Sequence, residues 1–320
     1  MQPSQSVADF SRPREKVTQE AFGAAKSARV RTASTWRVLR GWCTATLLAG
    51  CGGGAPLLHP VHPLPPDQVS FGAGVSHTVV LGEADEQLAN AKSASASGGA
   101  ASPEGQDAIL TGALAESMTS PGIAPWVGAR AGLGYNTEAG LTYTGRSARL
   151  DARHVFIDES LALSVGLGAS GRLAPRGSDG GSVPGVDTSA VTGFGIDLPV
   201  LVGYRSPGQL LSVYGGVRAH FDRAFGDVPI RLFADPTEER VGDLDAIRVG
   251  GSGLVGMLIG VEPIWIALEA SVGVFHGDGF LRYPSSGPGQ PGQPGQPGRR
   301  VDTSWTAPIV SPAGALLTRF

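Results

Sequence analysis

Apolar residues recur at every second position in several parts of this sequence. Most apolar residues of segments 161–169, 194–204, 211–221 and 264–274 share one parity within each segment, and polar residues or glycine fill most of the opposite positions. A period of two places neighbouring side chains on opposite faces of a β-strand. The pattern therefore predicts strands that have one apolar face and one polar face.

Two architectures produce such strands, and their apolar faces point in opposite directions. A soluble β-domain turns the apolar face inward, whereas a membrane barrel turns it towards lipid and keeps the polar face in the lumen. The predicted segments exceed the usual ~5–6 residues of a strand and suit a tilted span of ~9–11 residues. Phe194 and Tyr204 bracket one apolar face, and their separation corresponds to about 25 Å at a ~40° tilt, close to the apolar band of such barrels. We therefore expect an all-β, antiparallel transmembrane β-barrel over residues 68–320, with a soluble periplasmic β-domain as the alternative.

The lengths of the connections predict the number of strands. Outer-membrane barrels have short periplasmic turns and long outer loops, and the alternation of the two predicts about ten strands. The first would be Gln68–Leu81 and the second Asp107–Thr119. The next two would be Ala124–Tyr135 and Glu138–Val155, joined by a tight outer turn at Asn136. Long outer loops are expected at 82–106, 174–190, 224–244 and 277–303.

Two features of the sequence offer a different strand assignment. Leu110, Leu114 and Met118 recur at a helical spacing, so the alternative is eight strands preceded by a helical segment. Within the predicted strand Glu138–Val155, the apolar parity changes near Gly145. A β-bulge at that point, or an exit of the strand from the membrane, would account for the change.

Charged residues fall on the polar faces of successive predicted strands. Arginine forks can pair with carboxylates and fill a small barrel, and an unfilled lumen of this kind would instead form a narrow, anion-favouring pore. Both interpretations stay open from the sequence. The predicted lumen residues are Arg130, Arg146, Arg172, Asp197, Arg218, His220, Arg248 and Glu269.

The N-terminal region has the order of an export signal. Four arginines between residues 29 and 40 precede an apolar run, Trp42–Leu48, and small residues follow. The sequence Leu48-Ala49-Gly50-Cys51 resembles the lipobox of bacterial lipoproteins. This resemblance implies that residues 1–50, a signal with an N-terminal extension, are removed and that Cys51 is acylated. Residues 51–67 are rich in proline and glycine without a period, which predicts a lipidated flexible tether.

Composition narrows the chemistry of the mature chain. From Cys51 onward 17 Lys and Arg face 25 Asp and Glu, and this acidic balance argues against nucleic acid as a partner. Cys43 lies inside the signal, so Cys51 is the only cysteine left and neither a disulfide framework nor a cysteine metal site is expected. No apolar stretch approaches the ~20 residues of a membrane helix, so spanning falls to strands.

The sequence carries no recognisable catalytic or cofactor motif. Gly250-Gly251-Ser252-Gly253 misses the G-x-S-x-G spacing, and His220 is expected to be part of a polar lumen rather than of a catalytic triad. We expect a non-enzymatic protein without cofactor, with a barrel hydrolase acting on lipid or peptide as an alternative.

The last residue, Phe320, resembles the C-terminal signal of outer-membrane barrels. This resemblance implies recognition by the barrel-assembly machinery and a position in the bacterial outer membrane, with its lipid as partner. The expected function is that of an outer-membrane lipoprotein barrel, either a structural or surface-interaction protein or a narrow channel.

Overall fold

The structure is a computed structural model in which part of the chain is described. The predicted signal at 1–50 and Cys51 lie outside the described residues. So does most of the predicted loop 277–303. The described ranges are 55–98, 102–158, 160–173, 183–231, 240–283 and 299–320.

Ten antiparallel strands form one closed barrel, and the predicted all-β barrel fold is confirmed. Each strand pairs with the strands before and after it in the chain, and β10 closes the ring on β1. Two helices lie between β1 and β2 in the sequence, but these two strands are still paired. In the closing ladder Ser70 lies opposite Arg319. The strands are β1 Val69–Val80, β2 Gly122–Gly134, β3 Thr137–Tyr143, β4 Ser147–Asp158, β5 Leu161–Arg172, β6 Thr192–Arg205, β7 Leu211–Ile230, β8 Arg240–Val261, β9 Ile264–Tyr283 and β10 Arg299–Arg319.

The segment predicted as a second strand, Asp107–Thr119, is helical. Helix α1 spans Glu83–Ala96 and helix α2 spans Pro103–Thr119. Ser102 caps α2, because its side chain accepts a hydrogen bond from the Gly105 amide at 3.1 Å, and proline occupies the first helical position. The helical spacing that supported the alternative assignment was therefore the correct signal for this segment.

The strand predicted as Glu138–Val155 is a hairpin of β3 and β4. The chain turns at residues 144–146, where the Thr144 amide donates to the Ser147 carbonyl at 2.9 Å and Gly145 has a φ of 75°. The parity change near Gly145 therefore marks a reversal of direction and neither a bulge nor an exit from the membrane. This additional hairpin replaces the strand lost to α2, so the predicted total of ten is correct although two segments were assigned wrongly.

The barrel has two unlike ends. We call the end that holds Val69 and Phe320 the near end; Val69 and Phe320 exchange two backbone hydrogen bonds there. The links that join β2 to β3, β4 to β5, β6 to β7 and β8 to β9 are short, and the strand ends that they join lie at the near end. The turn at Asn136 was predicted at the outer end and lies instead at the near end, because β2 runs back from the helices. Both Tyr135 and Asn136 have positive φ, as a two-residue hairpin turn of type I′ requires.

Four strands extend well beyond the rest at the opposite, far end. Strands β7 to β10 have 20 to 22 residues, whereas β3 has 7. The predicted loops at 224–244 and 277–303 are correspondingly shorter, because β7 continues to Ile230 and β9 to Tyr283. The predicted loop at 82–106 contains α1 and the start of α2.

Helix α2 packs against the extended strands β7–β10, and helix α1 contacts the far part of β10. The Thr306 amide of β10 donates to the Glu83 carboxylate of α1 at 2.6 Å, and Arg299 donates to Asp107 of α2 at 2.6 Å. Residues of α2 from Ile109 to Met118 share one buried apolar cluster with Trp305 and Phe275. We call α1, α2 and the far halves of β7–β10 the far cap. Neither helix has the length and apolar character needed to cross a membrane.

Candidate functional site: the barrel lumen

Side-chain parity separates the outer wall from the lumen throughout the barrel. On β9, Ile264, Leu268 and Val272 are each about half exposed on the outside. Trp265 and Glu269, on the opposite face, are buried inside. The outer wall is therefore apolar where the lumen is polar, which is the inverse of a soluble β-domain.

Asp197 lies at the centre of the charged lumen. Its carboxylate accepts hydrogen bonds from Arg149 Nε at 2.8 Å and from Arg218 Nε at 2.9 Å. All three side chains are at most 5% exposed. Two arginines and one carboxylate from β4, β6 and β7 thus fix the relative positions of three strands.

The ion pairs continue from this centre across the neighbouring strands. Arg149 also contacts Asp151 at 2.5 Å, and Arg130 of β2 contacts Asp151 at 2.7 Å. Arg130 reaches Glu138 as well, and Arg153 contacts Glu138 at 2.8 Å. Arg130, Arg149 and Arg153 therefore each contact at least one carboxylate. Buried ion pairs of this kind hold a geometry strongly, because removal of one partner leaves an unpaired charge.

A second ion pair lies further towards the far end. Arg248 donates to Asp222 at 2.6 Å, and its guanidinium carbon lies 4.9 Å from the centre of the Phe275 ring. His220 Nε2 lies 3.2 Å from Ser252 Oγ. In the part of the chain that the structure describes, no carboxylate is hydrogen-bonded to the other nitrogen of His220, so the pair lacks the third group that a catalytic triad uses for orientation.

Most of the predicted lumen residues lie inside the barrel. Arg146 is the exception, because it is exposed in the turn between β3 and β4. Arg172 is half-buried and donates to the Ser117 carbonyl at the end of α2. Besides Arg172, the residues that the structure places inside are Arg130, Asp197, Arg218, His220, Arg248 and Glu269.

Sequence reasoning missed half of the charged lumen. Arg149, Asp151 and Arg153 alternate on one face of β4, but the hairpin was treated as one strand and their parity as an irregularity. Asp222 has the same parity as Arg218 on β7, so the rule applied to Arg218 could have found it. Glu138 precedes the hairpin turn by six residues and shows no separate signal.

The described part of the segment predicted as a flexible tether, from residue 55 onward, enters the lumen. We call Ala55–Pro66 the plug. Leu57, Leu58 and Val61 are at most 2% exposed, and His59 and His62 are also buried. The prediction failed because a proline-rich composition suits two environments. Five of these twelve residues are prolines, which lack an N–H, so the segment brings few backbone donors that need partners inside a protein.

Ionised and polar side chains of the wall satisfy the backbone of the plug. The amides of Leu57 and Leu58 donate to the two oxygens of Glu269 at 2.9 and 2.8 Å, and the Leu64 amide donates to Glu138 at 3.0 Å. The Ala55 carbonyl accepts from Arg218 at 2.6 Å. The lumen charges therefore serve both the wall and the plug.

Little free space remains between the plug and the wall. A cavity lined by Leu57, His59, Trp126 and Leu317 has a volume of about 20 Å³, room for about one water molecule. Towards the far end, a cavity beside Ala55 and Arg172 has about 40 Å³. The lumen is thus closed by the chain itself.

Comparisons with known proteins give the fold only distant counterparts. No family model and no curated protein matches the sequence. The Neisserial surface protein A is 11% identical, with a TM-score of 0.28, covering 79% of this chain and 97% of its own. The translocator domain of autotransporter NalP from Neisseria meningitidis is 13% identical, with a TM-score of 0.28, covering 81% and 90%. The CymD monoaromatic hydrocarbon channel is 11% identical, with a TM-score of 0.24, covering 80% and 89%. The assignment of a barrel rests on the strand pairing itself.

Proposed function

We propose that this protein is a β-barrel of the bacterial outer membrane whose lumen is closed, and that it acts as a structural or surface-interaction protein. The observation that carries the proposal is the outward apolar band. On β9 this band runs from Ile264 to Val274, about 25 Å at the usual tilt, and this length matches the hydrocarbon contact of outer-membrane barrels. Exposed apolar side chains over a whole barrel wall favour lipid as their solvent.

The far cap supports an orientation with the near end in the periplasm. Beyond Val274 the outward side chains of β9 become His276 and Asp278, so the apolar band stops where the extended strands begin. On the same surface Arg223 pairs with Asp245 at 2.6 Å, and the Arg300 guanidinium lies 4.1 Å from the centre of the Phe280 ring. With short turns on the periplasmic side, the charged far cap would stand at the cell surface as the part available to partners.

The paired lumen argues against an open, anion-favouring channel. Arg130, Arg149, Arg153 and Arg218 contact carboxylates, so their charges are largely neutralised. The plug fills the remaining cross-section. In the proposed function the lumen is therefore a packed core that holds the wall together, and we infer that the protein is not an enzyme.

Two single-cysteine variants on one strand test the position of the membrane. With Cys43 and Cys51 replaced by serine, we expect Val272→Cys to react with a lipid-soluble maleimide and Asp278→Cys to react with a membrane-impermeant one. Both positions face outward on β9, so they differ only in height. Equal labelling of the two by the impermeant reagent would show that water, and not lipid, surrounds the wall.

Conductance in planar bilayers tests closure. We expect the wild-type protein, confirmed as folded by its heat-modifiable mobility on a gel, to show no steady conductance. A steady, anion-selective current would contradict the closed lumen and favour the other hypothesis from the sequence, a narrow anion-favouring channel.

Lipidation and assembly remain part of the proposal. We propose acylation of Cys51, which a mass spectrum of the mature N-terminus would test; an unmodified thiol or residues upstream of Cys51 would contradict it. The spectrum should be taken from protein isolated from membranes rather than from refolded protein.

Phe320 is 73% exposed at the near end, which suits recognition by the assembly machinery. Phe320→Ala should then lower the yield of assembled barrel in cells.

A further inference from the structure

The lumen holds the plug mainly through the plug's backbone. Beyond the amides held by Glu269 and Glu138, wall side chains donate to plug carbonyls. Trp126 Nε1 donates to the Pro56 carbonyl at 3.1 Å, and Arg153 donates to the His62 carbonyl at 3.3 Å. Every residue of a backbone carries a carbonyl, and every residue except proline carries an N–H. The wall therefore has the properties of a site that recognises a peptide chiefly through its backbone.

Glu269 is the centre of this recognition. It accepts both Leu57 and Leu58 amides, and the Tyr214 hydroxyl donates to it at 2.8 Å. Leu58 has a φ of 51°, a conformation that costs energy for a branched side chain. Two successive amides that converge on one anion form the backbone arrangement called a nest. The strained Leu58 is thus held in place by a carboxylate that needs its amide.

The wall side of this site is built without the plug. Strand ladders fix Glu269 on β9, Trp126 on β2 and Arg218 on β7. Arg218 is also held by Asp197, and Glu138 by Arg153. A chain that leaves the lumen would therefore leave behind oriented donors and acceptors, with two hydrogen bonds missing at Glu269.

The plug reaches the lumen through the near mouth. Its last residues lie against the near end of β2, where a Cβ at position 132 would come within 2.1 Å of the Pro65 carbonyl oxygen. The Gln68 amide donates to the same carbonyl at 3.2 Å and closes the turn into β1. An incoming peptide would use this mouth and present its N-terminus first.

We propose that the lumen is a binding site for an apolar, proline-containing peptide supplied in trans, and that Ala55–Pro66 is its competitor in cis. The inference rests on the proposed closed barrel. The bound class is defined by two successive backbone amides for Glu269, carbonyls for Arg218 and Trp126, and apolar side chains at the positions of Leu58 and Val61, which are buried.

Competition by a synthetic peptide tests the proposal on the full chain in detergent. The probe is a fluorescent peptide with the sequence of residues 55–66. Leu58→Pro should unseat the plug without changing the wall, because proline has no amide proton and cannot adopt a positive φ. We expect the probe to bind this variant at least tenfold more tightly than it binds the wild-type chain.

Two matched controls separate backbone recognition from adhesion to an apolar surface. A probe that is N-methylated at the residues equivalent to Leu57 and Leu58 keeps its side chains and should bind at least tenfold more weakly. Adding Glu269→Gln to the Leu58→Pro chain should weaken the unmodified probe similarly, whereas Glu262→Gln, in an exposed near-end turn, should not.

Every outcome decides the question. Binding that ignores N-methylation or Glu269→Gln would overturn the proposal, and so would no binding to a Leu58→Pro barrel that runs as folded on a gel. If Leu58→Pro does not fold, Leu57→Pro removes the other amide that Glu269 binds and serves as the second variant. Should both variants fail to fold, the plug is a fixed part of the core and the proposal is wrong. Conductance of the wild type tests the closed barrel separately, because peptide binding is measured without a membrane potential.

Discussion

The two halves of the barrel fill their interiors in different ways. Strands β2–β5 are 7 to 13 residues long, and their inner faces carry the ion pairs of Arg130, Asp151 and Arg153. Strands β7–β10 are 20 to 22 residues long. Their far inner faces pack Phe275 and Trp305 against α2. The outer faces of both halves are apolar.

The difference shows which face of a membrane barrel is constrained. Lipid demands apolar side chains on the outside of every strand within the bilayer, whereas the inside needs only that polar groups find partners and that space is filled. The near part of the lumen, lined by the ion pairs of β2–β7 and by Glu269 of β9, meets this need with charges and the plug, and we call it the charged half. The far inner faces of β7–β10 meet it with helices, and we call them the apolar half. Substitutions should therefore destabilise the charged half by leaving charges unpaired, and the apolar half by creating cavities.

Asp197→Ala should produce the largest effect, because it breaks the charged half at its centre. Arg149 and Arg218 would both lose a partner while buried. Breaking a buried pair by removal of one partner costs about 3–5 kcal/mol. A urea titration of the reconstituted barrel should show this loss in the free energy of unfolding.

Asp245→Ala is the matched control for that prediction. Asp245 pairs with Arg223 through a bond of similar length, 2.6 Å, but the two side chains are 30% and 45% exposed. Exposed pairs contribute about 0–1 kcal/mol. Similar losses for the two variants would mean that water reaches the lumen and that the charged half is not a closed core.

The outer wall was predictable from the sequence, and the inner wall only in part. Lipid imposes one rule on outward positions, so Ile264 to Val274 can be assigned from parity alone. Inward positions obey no single chemistry. Trp265 and Phe275 share the face of Glu269 and are buried with it, which parity permits but composition does not indicate.

The errors arose where local signals competed with a count of strands. Ser102 and Pro103 begin a helix in a recognisable way, yet the requirement for an even number of crossings made Asp107–Thr119 a strand.

The plug was missed for another reason. Its partners Glu138, Arg218 and Glu269 are 74 to 212 residues distant from their contacts in the sequence, and composition alone cannot distinguish a solvated proline-rich tether from one whose few amides are satisfied inside.

Trp305→Ala should destabilise the apolar half without destabilising the charged half. Trp305 is 1% exposed, and a Cβ added at Gly277 would lie 2.4 Å from its ring, so the packing there is tight. Replacement of a buried tryptophan by alanine costs about 3–5 kcal/mol when the cavity does not collapse, but this loss should be confined to the far cap. Hydrogen exchange should accelerate in α1 and α2 while the amides of β2–β5 stay protected.

The neighbouring Ser304→Ala is the control for the far cap. Ser304 points outward on the same strand and is exposed, so its replacement should change exchange in the helices by less than the equivalent of about 0.5 kcal/mol. Accelerated exchange in β2–β5 after Trp305→Ala would show that the two halves unfold as one unit and would remove the distinction between them.

Acidification gives the smallest effect and acts on the charged half alone. Arg153 Nη1 lies 2.7 Å from His59 Nδ1, and since a guanidinium can only donate, this nitrogen must carry no proton while the plug is seated. In a released plug His59 would titrate near its ordinary pKa of about 6.5. The released state then binds more protons as the pH falls through that value, so acid favours release by at most about tenfold per pH unit for one histidine.

Exchange of the Leu57 and Leu58 amides should therefore become faster below about pH 6.5 than the ordinary chemistry of exchange predicts, and His59→Gln should abolish that excess. His276, exposed in the far cap, provides the comparison: if His276→Gln removes the acid response as well as His59→Gln does, the response does not originate at the plug, and the charged half has no pH sensitivity of its own.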